Sequence, residues 1–119
     1  MTPLKDTRFG FPRAHRLLKR RDFLRLSRTG RRVQDAHFIL CFTPGQSATA
    51  RLGITVSRRV GGAVVRNRIK RLCREFFRLQ GHRIAGGRDL LLIAKKQAAA
   101  SDNETLRRSL GCLFRTLKG

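Results

Sequence analysis

Acidic residues are scarce in this chain. Asp and Glu number 7 in 119 residues against 28 Lys and Arg, a formal net charge of +21. A protein nuclease needs clustered carboxylates for metal ions, or a general base beside a nucleophile. Here Asp6, Asp22, Asp35, Glu75 and Asp89 stand singly in basic sequence, where ion pairing is their default role. Asp102 and Glu104 suit the N-terminal end of a helix. No His neighbours a Ser or Cys suggestively, and the Gly61–Gly62 pair lacks the spacing of a phosphate-cradling loop. The sequence therefore offers no catalytic residues and no metal ligands of its own.

Cysteine is equally sparse. Cys41, Cys73 and Cys112 are odd in number, far apart and outside any CxxC pair, and His15, His37 and His82 do not cluster with them. The spacing speaks against a zinc site or disulfide framework, and buried, reduced thiols in a cytoplasmic protein are expected. No stretch approaches the roughly 20 apolar residues of a membrane span, and the first 20 residues hold no signal-peptide core.

What is present is one modest core and a great deal of positive charge. With 40% hydrophobic residues, the chain fits a single domain over 1–119, its first 14 residues a loose basic arm carrying Pro3, Gly10 and Pro12. Charge of one sign repels itself in a small domain unless a polyanion neutralises it. Most of the basic residues are Arg, whose planar fork binds phosphate and stacks on bases, so nucleic acid is the expected partner rather than a membrane surface.

Periodicity gives the order helix, strand, strand, helix, strand, helix, an α+β fold. LKRRDFLRLSR from Leu18 to Arg28 reads as a short helix stopped by Gly30. A strand pair follows, HFILCFT and RLGITVS, with turn chemistry in PGQS at 44–47. Phe38, Leu40 and Phe42 face one way and His37, Ile39 and Cys41 the other. Leu52, Ile54 and Val56 likewise oppose Arg51, Gly53, Thr55 and Ser57, whose mostly small side chains suit either a binding surface or a solvent-facing strand.

In VGGAVVRNRIKRLCREFFRLQ, residues 60–80, Val65, Ile69, Leu72, Cys73, Phe76 and Leu79 form one helical stripe. Asn67, Lys70, Arg71, Arg74 and Arg78 occupy the opposite face, Arg66 and Arg68 flank the stripe, and Glu75 is the lone acid. The glycines ahead leave the first turn open to a phosphate. DLLLIAKK after Gly86–Gly87 reads as a strand covered on both faces. Ser101 with Glu104 three residues on suggests a capping box, and Leu106, Leu110, Leu113, Phe114 and Leu117 form the last helical stripe. A one-signed outer face favours binding over a solvated charge run. With no DNA-reading motif present, RNA is preferred to duplex DNA.

RNRIKRLCRE at 66–75, GITVSRRVGGAV just ahead, RLLKRRDF at 16–23, LLLIAKK at 90–96 and the closing Leu/Phe helix resemble, in order and spacing, the bacterial ribonuclease P protein family over about residues 14–118. The resemblance implies an αββαβα sandwich with a ribosomal-protein-like sheet and a left-handed βαβ crossover. It implies that an RNA subunit, with magnesium ions held mainly by that RNA, carries the endonucleolytic chemistry while the protein alone is inactive. Arg66, Asn67, Arg68, Lys70, Arg71 and Arg74 would then contact the RNA subunit. Phe23, Arg51, Thr55, Ser57 and Arg58 would line a cleft for the single-stranded 5′ leader of precursor tRNA. No obligate protein partner is implied. Ser27 and Cys41 stand where many members carry aromatics, and Gly62 where Asn is common. A ribosomal protein is the main alternative; a basic protein of membrane surfaces or DNA and an autonomous protein ribonuclease are more distant.

Overall fold

The computed structural model describes residues 20–44 and 50–118. The basic arm at 1–14 and most of the PGQS turn lie outside them. The first element, α1 (Arg20–Thr29), is followed by β1 (Arg31–Gln34), β2 (Phe38–Thr43) and β3 (Arg51–Thr55). Then come α2 (Ala63–Phe76), a π turn (Phe77–Gly81), the short α3 (His82–Ala85) and β4 (Asp89–Ala94). A one-turn α4 (Gln97–Ala100) and α5 (Asn103–Arg115) complete the chain, with a 3-10 turn at Thr116–Lys118.

The four strands form one sheet in the order β1-β2-β4-β3. β4 is antiparallel to β2 and parallel to β3, and α2 lies in the β3-to-β4 connection. The two strands read as a pair, β2 and β3, are therefore not neighbours, because β4 separates them. The fully apolar DLLLIA segment takes the position with a partner on either side and helices on both faces, where its burial gains most. β1 was not legible as a strand: in RRVQ only Val33 leaves solvent, and it is held by pairing with β2 along one edge.

Alternation along the strands sorts the side chains into two cores. Phe38, Leu40, Leu52, Leu90 and Leu92 face α2 and α5, meeting Ile69, Leu72, Phe76, Leu106, Leu110 and Phe114. The other face carries a smaller cluster of Cys41 and Leu91 beneath Leu26 of α1, with Phe23, Ile39 and Ile93 packed against it. The result is a three-layer α+β sandwich in which, among the described residues, α1 alone covers one side.

Three local readings are corrected. Leu79 is 52% exposed, while Phe77 is fully buried in its place. The π turn widens the helix there and shifts the inward face by about a residue. Gly81 allows that turn to lie against the core, where a Cβ would meet a Phe114 ring carbon at 3.0 Å. The N-cap of α5 is Asp102, accepting from Thr105 N at 2.8 Å. Ser101 instead donates to Gln97 O at the end of α4, and Glu104 pairs with Arg108. Cys41 and Cys73 are buried, but Cys112 is exposed, since it lies outside the Leu106–Leu110–Leu113 stripe of α5. Burial pushes the Cys73 thiol up to about 12, so it packs as an inert apolar group.

Candidate nucleic-acid interface

The outer face of α2 is cationic because its inner face is committed to the core. Ile69, Leu72, Cys73 and Phe76 are buried, which turns Asn67, Arg71, Arg74 and Arg78 to solvent and leaves Lys70 half-covered. Ahead of the helix, Gly62 is the N-cap with no side chain bonding the first turn, and no acid stands in that turn. Positive helix dipole and basic side chains therefore reinforce one another at this end.

The two arginines that flank the stripe are turned inward by local bonds. Arg66 Nε donates to Gly61 O at 3.1 Å, closing the glycine lead-in onto the helix. Arg68 Nη1 donates to Asn103 Oδ1 at 2.7 Å, and its Nη2 reaches Ala99 O and Ser101 O at 3.3 and 3.4 Å. Arg68 thus ties α2 to the α4–α5 join, a structural duty its position in the sequence did not announce.

A second basic region lies on the opposite side of the sheet. α1 packs over β2 and β4 and leaves β3 at the open edge. Register sets Arg51, Gly53 and Thr55 on the same face as Asp89, Leu91 and Ile93, so they lie alongside α1. Phe23 is half-buried at the foot of α1, Arg51 and Thr55 are half-buried, and Ser57 and Arg58 are exposed beyond the strand. All five residues expected to form a cleft therefore border the α1 side of β3 or the turn leading from it. Cys41 lies fully buried beneath Leu26, outside any open surface, and Ser27 Oγ is turned back onto Leu24 O.

One end of this cleft is organised by a carboxylate that sequence reasoning passed over. Asp89 accepts from Arg51 Nε at 3.0 Å and Arg51 Nη2 at 2.8 Å, and from Arg25 Nη2 at 3.0 Å. Its side chain is only 6% exposed. Burial alone would raise its pKa, but the hydrogen bonds from Arg51 and then Arg25 outweigh that and hold it below the usual carboxylate range. The same bond holds the Arg51 guanidinium more firmly protonated. Arg25 also meets Asp22 at 3.4 Å, so two arginines and two carboxylates balance in one network, with both guanidiniums partly exposed beside β3. The available signal was an acid opening an otherwise apolar strand, a place where a buried charge requires a partner.

A family model for ribonuclease P matches residues 11–118. The ribonuclease P protein component of Desulforapulum autotrophicum is 50% identical over 92% of this chain and 93% of its own length. That of Geotalea uraniireducens is 44% identical, covering 92% and 96%. The chain belongs to the ribonuclease P protein family. Solved structures agree: the Staphylococcus aureus RNase P protein superposes with a TM-score of 0.83 at 31% identity, covering 89% of this chain and 97% of that one. The Thermotoga maritima RNase P protein gives 0.78 at 34% identity, covering 87% and 98%. As the protein component of ribonuclease P, the chain belongs to a tRNA-processing ribonuclease complex and has an RNase P RNA as its partner. Membership decides against a ribosomal protein. Among the described residues no helix is long and apolar enough to cross a membrane.

Proposed function

We propose that the outer face of α2 binds the RNA subunit of ribonuclease P and that the cleft beside α1 holds the single-stranded 5′ leader of precursor tRNA. Arg66, Asn67, Arg68, Lys70, Arg71 and Arg74 form the first surface, and Phe23, Arg51, Thr55, Ser57 and Arg58 the second. The observation that carries the reading is the separation of two basic surfaces by one sheet, since α2 and α1 cover opposite faces of it. One surface can engage the catalytic RNA while the other stays open to substrate.

Arg71 and Arg74 reach into solvent and suit phosphate, whereas Arg68 acts chiefly by keeping α2 and the start of α5 in register. In the cleft, Arg51 meets a leader phosphate from a guanidinium oriented by Asp89, and Thr55 and Ser57 contribute hydroxyl contacts. Arg25, shared between Asp89 and Asp22 and partly exposed, adds a second guanidinium to the wall. Contacts of this kind are available to the precursor and absent from mature tRNA, so binding energy favours the substrate over the product.

The chemistry falls to the RNA subunit, with magnesium ions held mainly by that RNA, and the protein alone is inactive. Among the described residues no three His, Cys, Asp or Glu side chains converge into a metal site. Asp89 and Asp35 are engaged in protein bonds.

The test is the affinity of the reconstituted holoenzyme for precursor tRNA with and without its leader. Wild-type protein yields a clear preference for the leader-bearing form. Arg51→Ala reduces that preference about ten- to hundredfold, the scale of a lost charged contact of roughly 1.5–3 kcal/mol. Equal affinity for the two forms with wild-type protein would refute the leader cleft.

A further inference from the structure

Between α2 and the first turn of α5 lies an open groove of about 470 Å³. This is within the range of sites that take a small molecule or one residue of a polymer, roughly 300–1,000 Å³. Its lining is unlike the rest of the basic face. Val64, 84% exposed, and Leu72, 5% exposed, give it an apolar surface. Arg71 and Arg107 stand on its two sides, from α2 and α5 respectively. Neither makes a hydrogen bond or ion pair among the described residues, nor does Glu75, the single acid in the groove.

Glu75 is the informative residue. A carboxylate on a face that binds a polyanion weakens that binding unless it meets donors. The other acids in the described core and caps are engaged: Asp22 and Asp89 by arginines, Asp35 and Asp102 by backbone N–H groups, Glu104 by Arg108. A carboxylate only accepts, and its two oxygens match a pair of adjacent N–H donors. Among the four RNA bases only guanine presents two such donors side by side, N1–H and the exocyclic N2–H, on the edge left free when the base is unpaired.

We propose that this groove receives one unpaired guanosine of the ribonuclease P RNA, its base edge on Glu75 and its phosphate on Arg71 and Arg107. The apolar contact of the base is with Leu72, about one turn from Glu75, while Val64 lines the far end of the groove, about three turns earlier on α2. Arg68 is a positioning residue: its bonds to Asn103, Ala99 and Ser101 hold the start of α5 against α2 and so maintain the groove. The inference rests on α2 binding the RNA subunit and extends that surface onto α5, adding Arg107, which the RNR signature does not contain.

The experiment measures the affinity of the full chain for ribonuclease P RNA, together with protection of guanine N1 and N2 from kethoxal along that RNA. Glu75→Gln removes a negative charge, so electrostatics alone makes it bind equally or more tightly. The proposal requires it to bind about tenfold more weakly, the scale of a lost bidentate base contact, and to leave one guanine, protected by the wild type, reactive. Arg107→Ala lowers affinity and reduces the slope of log affinity against log salt by about one; Arg83→Ala, outside the groove, serves as a charge-matched comparison. Glu75 has no hydrogen-bond or ion-pair partner among the described residues, so the Gln variant folds, and a thermal melt checks that it does. Unchanged or tighter binding by Glu75→Gln overturns the proposal, as does weaker binding with no guanine exposed. If wild-type protein fails to bind the RNA at all, the broader assignment of α2 falls instead.

Discussion

Arg68 Nη1 donates to Asn103 Oδ1 at 2.7 Å, across the join between α2 and the start of α5. Arg68 is the second arginine of the RNR segment, yet its donors serve the protein. Arg68→Ala therefore lowers thermal stability, by about 1–2 kcal/mol for the lost charged hydrogen bonds, and weakens RNA-subunit binding with it. Arg68→Lys does not restore either property, because an ammonium cannot reproduce the fork. Arg71→Ala weakens binding without moving the melting temperature. Paired melts and RNA titrations of the three variants separate the roles.

Asp89 gives the fold a dependence on acid. Its folded pKa lies below the ordinary carboxylate value, so its contribution is complete above about pH 4, the unfolded range, and is lost as pH falls through the folded value. Both arginine partners are more than a third exposed, which tempers the pair energies. Asp89→Asn therefore costs about 1–2 kcal/mol at neutral pH. It also flattens the loss of stability below about pH 4. Denaturant melts at a series of pH values check both effects.

Gly30 is required for close approach. A Cβ there would sit 2.6 Å from Leu26 O and 3.2 Å from Phe42 O, both backbone atoms. Its φ is not positive, so the constraint is contact between the end of α1 and β2 rather than a left-handed turn. Gly30→Ala shifts α1 on the sheet, destabilises by about 1–3 kcal/mol and weakens leader binding. Thermal unfolding and leader affinity report the two consequences.

The sequence-legible parts of the fold are those in which one periodicity governs a whole element. The stripes of α2 and α5 and the alternation of β2 and β3 placed Ile69, Phe76, Leu110, Phe38 and Leu52 on the inside. Partner choice was less legible. PGQS looks like a hairpin turn, but β4, buried on both faces, satisfies more apolar surface between β2 and β3 than either could give the other. The shift from Leu79 to Phe77 depends on a π turn enabled by Gly81 meeting Phe114, a contact between segments distant in sequence. At the interface, the basic residue types were readable, whereas the inward duties of Arg66 and Arg68 and the Asp89 cluster depend on carbonyls and carboxylates brought together only by folding.

Assembly with the RNA subunit is steeply salt-sensitive, because several phosphates are neutralised together. Affinity falls about a thousandfold or more between roughly 50 and 200 mM salt. Removing Arg71 or Arg74 lowers the slope by about one each. Titrations at four salt concentrations measure it.

The most direct measurement is cleavage of a precursor tRNA at low magnesium by a bacterial ribonuclease P RNA, with and without this protein. The account predicts no cleavage by the protein alone and restored, correctly placed 5′ cleavage when RNA and protein are combined. Cleavage by the protein without RNA, or an RNA whose activity is unchanged by a protein that binds it, would contradict the account.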